Sequence, residues 1–224
     1  MPTTKMILLR TLQLLVVCYV IICIAVYFFQ ERLIFFPEKL DAAHRFSFDR
    51  PFAEVTIPSG KDRLHGLYFR ADSAKGLVFY LHGNAGSVDS WGAVGSTYNH
   101  LQWDVFILDY PGYGKSTGTI SSKNQLLGSV QAAYDEMKKR YPEDRIVVLG
   151  YSVGTGPAAW LASVNHPKGL ILQAPYYSMK DLMRHRFPVL PTFLLKYDFE
   201  TNNYLERCPM PVTLFHGDRD EVIY

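Results

Sequence analysis

The stretch whose reading decides the fold is RIVVLGYSVGTGPAAWLA, residues 145–162. An apolar run climbs into Gly150-Tyr151-Ser152-Val153-Gly154 and gives way at once to small, helix-favouring residues. A serine between two glycines, where a buried strand turns into a helix, is the pattern of a nucleophile elbow. The turn is so sharp that both flanking positions must lack side chains, and the serine is held in a strained conformation with Oγ above the sheet. The free N–H groups and dipole of the helix that follows then face any negative charge developing there. The five residues alone are a weak signal, and the strand before and the helix after give them their weight.

A second stretch supports the first independently. In FYLHGNAG, residues 79–86, His82-Gly83-Asn84-Ala85-Gly86 follows directly on the apolar run GLVFYL, 76–81. An oxyanion hole takes one N–H from the residue after the nucleophile, here Val153, and another from the loop after this strand, assigned here to Asn84. Small residues let that backbone approach a substrate closely. His82 is read as a structural residue that pins the loop, not as a base.

Working outward, strand-like and helix-like patterns alternate from about residue 52. AEVTIP (53–58), LHGLYFRA (64–71), GLVFYL (76–81), WDVFILDY (103–110), RIVVLG (145–150), GLILQA (169–174) and PVTLFHG (211–217) read as strands. Residues 121–140 carry an amphipathic helix with Leu126, Leu127, Val130, Ala133, Tyr134 and Met137 on one side, Ser122 and Gln125 as its capping box, and basic residues at its end. A further helix is expected over 153–164. Such alternation predicts an α/β fold with a mostly parallel sheet and helices on both faces. Residues 175–209, rich in proline and aromatics, break the rhythm and predict a small cap.

The chain has 224 residues, 48% of them apolar, 14% aromatic and 20% charged, with a net charge of +2. That balance describes a folded domain with a sizeable core and gives no sign of a nucleic-acid partner. Cys18 and Cys23 lie in the N-terminal apolar run and Cys208 is alone in the rest, so the fold does not rest on a disulfide.

The N-terminus is different material. Residues 11–29, TLQLLVVCYVIICIAVYFF, carry no charge. Nineteen helical residues span roughly 28 Å, close to the ~30 Å hydrocarbon core of a bilayer. The reading is a single-pass anchor after a tail of residues 1–10, with the lipid bilayer as partner; a cleaved signal peptide and a buried core helix are the alternatives. Lys5 and Arg10 before the run place the N-terminus in the cytoplasm and the following domain outside it. Residues 30–51, including QERLIFFPEKL, form a juxtamembrane segment, and 52–224 the α/β domain.

Four ordered stretches, FYLHGNAG, LDYPGYGKSTG, GYSVGTGPA and FHGDRDEVI, resemble the α/β-hydrolase superfamily, and among its members the membrane-anchored Bem46-like and ABHD-type serine hydrolases. The resemblance covers essentially the whole chain. It implies hydrolysis of acyl ester, thioester or amide bonds by a Ser-Asp-His triad, with no metal and no organic cofactor, but selects no one substrate; anchoring beside the bilayer points to a small acyl-containing substrate such as a lipid or an acylated protein. It assigns Ser152 as nucleophile, Asn84 and Val153 as oxyanion donors, and Asp220 as the acid in Gly217-Asp218-Arg219-Asp220, with Asp218 as the alternative. It gives Asp109 and Tyr110 a structural part.

The base is where the chain departs from the family. The histidine should follow the acid, yet His44, His65, His82, His100, His166, His185 and His216 all precede Asp220. The expectation is that the C-terminal part of the domain is incomplete and that the catalytic histidine lies beyond Tyr224. The competing expectation is a non-catalytic, membrane-tethered relative that binds a ligand with the same pocket, or an inactive fragment. The charge bias around the anchor makes a direct prediction. A glycosylation or phosphatase reporter fused after Tyr224 is expected to read out as extracytoplasmic, and a cytoplasmic readout overturns the orientation.

Overall fold

A computed structural model describes residues 3–223. The chain runs through helix α1 (Thr4–Ile34), strands β1 (Phe36–Pro37), β2 (Phe52–Ser59), β3 (Asp62–Phe69), β4 (Leu77–Leu81) and β5 (Ala85–Gly86), then α2 (Val88–Trp91), α3 (Ala93–His100) and β6 (Asp104–Asp109). It continues through α4 (Lys123–Lys138), β7 (Ile146–Tyr151), α5 (Thr155–Val164), β8 (Gly169–Gln173), α6 (Met179–Arg186), α7 (Thr201–Leu205) and β9 (Val212–Phe215).

Seven of these strands form one sheet in the order β2-β3-β6-β4-β7-β8-β9. The β2–β3 hairpin is antiparallel, β3 meets β6 antiparallel, and every other pairing is parallel. Every residue of β4 and β6 is buried, because helices or loops cover both faces of the central strands. On one face α4 lays Leu126, Leu127, Val130, Ala133, Tyr134 and Met137 against β strands and α5. On the other, Val88, Leu67, Phe69, Val105 and Ile107 pack with Phe46 from the stretch between α1 and β2.

Several sequence expectations shift in detail. The strands agree with the apolar runs to within two residues. At α4 the Ser122 hydroxyl accepts from the Gln125 N–H at 3.1 Å, but the Gln125 side chain accepts from Ser121 N–H at 3.3 Å, one residue before the place a capping box requires. The helix expected from residue 153 begins at Thr155, after a 3₁₀ turn over Ser152–Gly154. Helix α3 and the two cap helices, α6 and α7, were not expected. The N-terminal helix runs past residue 29 to Ile34 before the chain extends.

The stretch after α1 is tied to the domain by backbone pairing. Its β1 pairs in parallel with β5, and Glu38 and Leu40 continue the ladder through hydrogen bonds with Gly86 and Gly114. At the opposite side the cap is tied to α4: the Lys123 ammonium donates to Asp198 at 2.5 Å, and Lys180 of α6 lies 3.3 Å from the same carboxylate. Burial alone would raise the Asp198 pKa, but Lys123 first and Lys180 after it pull it below the ordinary carboxylate range. A depressed carboxylate contributes stability above its unfolded value of about 3.9 and loses it as pH falls through the folded value. Lys123→Met is therefore expected to move the acid-induced loss of hydrogen-exchange protection across 179–205 to higher pH; an unchanged profile would show that this pair does not hold the cap.

Candidate active site

The site is built at the C-terminal ends of two adjacent parallel strands. Leu81 of β4 pairs with Gly150 of β7, so the residues that follow, His82 to Asn84 and Tyr151 to Val153, leave the sheet side by side. Ser152 sits at the tip with φ of 51°, in the left-handed region that a side-chain-bearing residue occupies only under strain. The glycines on either side answer to steric need. A Cβ on Gly150 would lie 2.6 Å from the Gly154 carbonyl oxygen and 2.7 Å from Ala158 Cβ. A Cβ on Gly154 would lie 2.3 Å from the Leu81 carbonyl oxygen and 2.6 Å from that of His82. The serine turn is thus seated directly on the start of the loop that carries Asn84.

The turn is fixed from below. The Thr155 hydroxyl donates to the Ser152 carbonyl at 2.6 Å, and the buried Tyr176 hydroxyl donates to the Val153 carbonyl at 3.3 Å. Burial pushes the Tyr176 phenol far above its usual range, so it stays a neutral donor.

The Asn84 loop is fixed from three directions. The Asn84 carbonyl accepts from the Tyr113 hydroxyl at 2.7 Å and from the Phe36 N–H at 2.8 Å. The Tyr110 hydroxyl donates to the His82 carbonyl at 2.9 Å. Fully buried Asp109 accepts from the Val88 N–H at 2.8 Å and so holds the start of α2. The Trp91 indole donates to the Ala85 carbonyl at 2.9 Å, and its ring packs on Tyr151. With its carbonyl bound on the inner side, the Asn84 N–H has no partner among the described residues. The resemblance gave Asp109 and Tyr110 a structural part, whereas Phe36, Trp91 and Tyr113 carried no signal of their own in the sequence.

The remaining candidate residues follow β9, and among the described residues they are not brought together with a base. Asp220 follows β9, two strands from β7 on the same sheet edge, and its carboxylate accepts from the Val222 and Ile223 N–H groups at 2.9 Å each. Those backbone donors, Ile223 first, hold its pKa below the usual carboxylate range. Asp218 is exposed in the same loop. Among the described residues the Ser152 hydroxyl makes no hydrogen bond to a histidine. His216 turns its Nδ1 to the Gly217 carbonyl, and His185 faces Asp181 of its own helix.

His82 is buried, and its Nδ1–H donates to the Gly83 carbonyl at 2.7 Å while Nε2 stands unpaired, 3.8 Å from Asp109. Burial lowers its pKa and keeps the imidazole neutral against the pull of Asp109. The sign follows: unfolded histidine titrates near 6.5, so as pH falls below that value the unfolded chain takes up the proton first and stability is lost. The thermal midpoint is expected to fall as pH drops from about 6.5 toward 5, with a shallower slope in His82→Gln. Equal slopes in the two proteins would show that another group carries the effect.

A family model described as the alpha/beta hydrolase fold matches residues 76–208. The chain is 36% identical over 151 residues to the alpha/beta hydrolase domain-containing protein aho-3 of Caenorhabditis elegans, covering 65% of this chain and 44% of that one. It is 32% identical over 177 residues to the human alpha/beta hydrolase domain-containing protein 17B, covering 75% and 59%. The chain therefore spans about half the length of the curated relatives it matches. Among solved structures, an esterase from Pyrococcus furiosus superposes with a TM-score of 0.66 at 20% identity over 85% of this chain and 79% of that one, which speaks for the fold. An alpha-beta hydrolase from Vibrio vulnificus gives 0.63 at 23% over 73% and 62%. The elbow on β7, the glycine-lined loop on β4 and these matches agree: the chain belongs to the α/β-hydrolase family.

Proposed function

We propose that the protein is a membrane-anchored serine hydrolase that cleaves acyl ester, thioester or amide bonds through an acyl-enzyme on Ser152. The observation that carries this reading is the seat of Gly154 on the Leu81 and His82 carbonyls, which holds a strained serine beside a loop with a spare backbone donor. Ser152 Oγ attacks the substrate carbonyl, and its proton passes to a histidine. The tetrahedral oxyanion is held by the Val153 and Asn84 N–H groups, the leaving group departs with that proton, and water then releases the acid. In this reading Asp220, kept ionised by two backbone donors, orients that histidine. The substrate is a small acyl compound, a lipid or an acylated protein, met beside the bilayer that residues 11–29 span. The N-terminus faces the cytoplasm and the domain the other side.

The test is labelling by a fluorophosphonate probe of the gene product in native membranes. Strong labelling is expected, with loss on the order of 10⁴-fold or more in Ser152→Ala and about 10⁴-fold in Asp220→Asn. Asp218→Asn is expected to label normally. A native protein that does not label leaves the non-catalytic, ligand-binding reading in its place, and a loss confined to Asp218→Asn reassigns the acid.

A further inference from the structure

The cap carries an uncharged segment, Phe187-Pro188-Val189-Leu190-Pro191-Thr192-Phe193-Leu194-Leu195, in which Phe187, Val189 and Phe193 turn outward while Leu194 is buried. Val189 is 74% exposed and Phe193 81% exposed. A water-facing loop with such residues at its tip is unfavourable unless something apolar covers it.

Its neighbour is the N-terminal helix. Lys196 ends the segment with its ammonium 2.6 Å from Glu31 and 5.4 Å from the centre of the Tyr27 ring, which marks the end of the apolar run. The Leu194 carbonyl accepts from the Gln30 side chain at 2.9 Å, and the Lys196 N–H donates to the Gln30 side-chain oxygen at 2.8 Å. From there the segment descends along α1. Pro191, Phe193 and Leu194 line a groove of about 320 Å³ with Tyr19, Val20, Cys23, Ile24, Tyr27 and Phe28. At its far end the Val189 carbonyl accepts from the Tyr19 hydroxyl at 2.7 Å. Tyr19 lies eleven residues before Gln30, so about 16 Å further along the axis, roughly half the hydrocarbon thickness.

We infer that the cap segment Phe187–Leu195 is inserted into the hydrocarbon layer of the same bilayer leaflet that α1 enters, so that the domain holds the membrane at two places. The inference rests on reading residues 11–29 as a bilayer span, and that reading leaves the segment nowhere else to be. Its chemistry suits lipid. Two of its nine positions are proline and bring no N–H. Leu190, Leu194 and Leu195 donate within the segment, to Phe187, Pro191 and Thr192. The Tyr19 hydroxyl and the Val189 carbonyl, each costly alone in hydrocarbon, satisfy one another. Arg184 and Arg186, just before the segment, have stems long enough to carry their charge back to the headgroups.

The experiment is depth-resolved quenching on the full chain in vesicles of phosphatidylcholine and phosphatidylserine. With Cys23→Ser and Cys208→Ser in place, an environment-sensitive dye is attached either to native Cys18, within α1, or, after Cys18→Ser, to Phe193→Cys. Acyl-chain spin-labelled lipid is expected to quench the dye at 193 several-fold more than aqueous iodide does, as it does the dye at Cys18. If Cys18 is quenched by lipid but 193 by iodide, the inference is overturned and the anchor reading stands. If neither is quenched by lipid, the anchor reading fails and takes the inference with it. In a chain with all native cysteines, p-benzoylphenylalanine in place of Phe193 is expected to crosslink to phospholipid. Crosslinking only to protein would mean a partner chain or a second copy covers the segment, and would overturn the inference.

Discussion

The approach of Gly154 to the carbonyl oxygens of Leu81 and His82 is the constraint on which the site depends. Backbone packed this tightly against backbone admits no side chain and no slippage, because nothing in the contact is flexible enough to give. It joins two parts of the site that are some seventy residues apart in the chain, the strained serine and the glycine-lined loop. The left-handed φ of Ser152 persists because the 3₁₀ turn, the Thr155 hydroxyl and Tyr176 determine the turn from its inner side. Strain of this kind, of order 1–3 kcal/mol, survives only when the surroundings over-determine it.

The loop is held by a second layer that does no chemistry. Tyr110 and Tyr113 hold the carbonyls of His82 and Asn84, Asp109 holds Val88, and Ser116 closes the return by donating to the Asp109 carbonyl at 2.8 Å. Each hydrogen bond contributes about 1 kcal/mol net, but their joint effect is geometric. The peptide that carries the Asn84 N–H is held through the Gly83 carbonyl by His82 Nδ1, and the peptides on either side of it by Tyr110 and Tyr113. A rigid donor that need not reorganise as charge develops is worth more than a mobile one.

What was legible in the sequence follows from how local each cause is. The elbow was legible because its glycines answer a steric demand within five residues. The central strands were legible because burial on both faces makes them continuously apolar. Helix α3 was not, since AVGSTYNH has neither a strong apolar stripe nor a capping side chain. The cap helices were hidden among prolines, and their burial is set by partners far along the chain, as where α7 packs on α5. The two-residue pairing of β1 with β5 has no sequence signature, because its register is decided by the Asn84 loop. Nor did the sequence show that, in the loop after β9, two backbone N–H groups meet the Asp220 carboxylate, because that depends on how the turn folds back on itself.

The stretch after α1 links that helix to the candidate site more directly than a tether would. Within ten residues of the end of the apolar run, Gln30 and Glu31 bind the cap, Phe35 packs its ring edge-on to Tyr197, Phe36 holds the Asn84 carbonyl, and Glu38 accepts from the Ser87 hydroxyl at 3.0 Å. Seen from α1, a flexible linker would let the domain tumble. These contacts instead fix the direction of the helix axis relative to the Ser152 turn. The loop that carries the candidate oxyanion donor is therefore completed by residues leaving the apolar helix, and the orientation of that helix and the geometry of the site are set by one continuous piece of backbone.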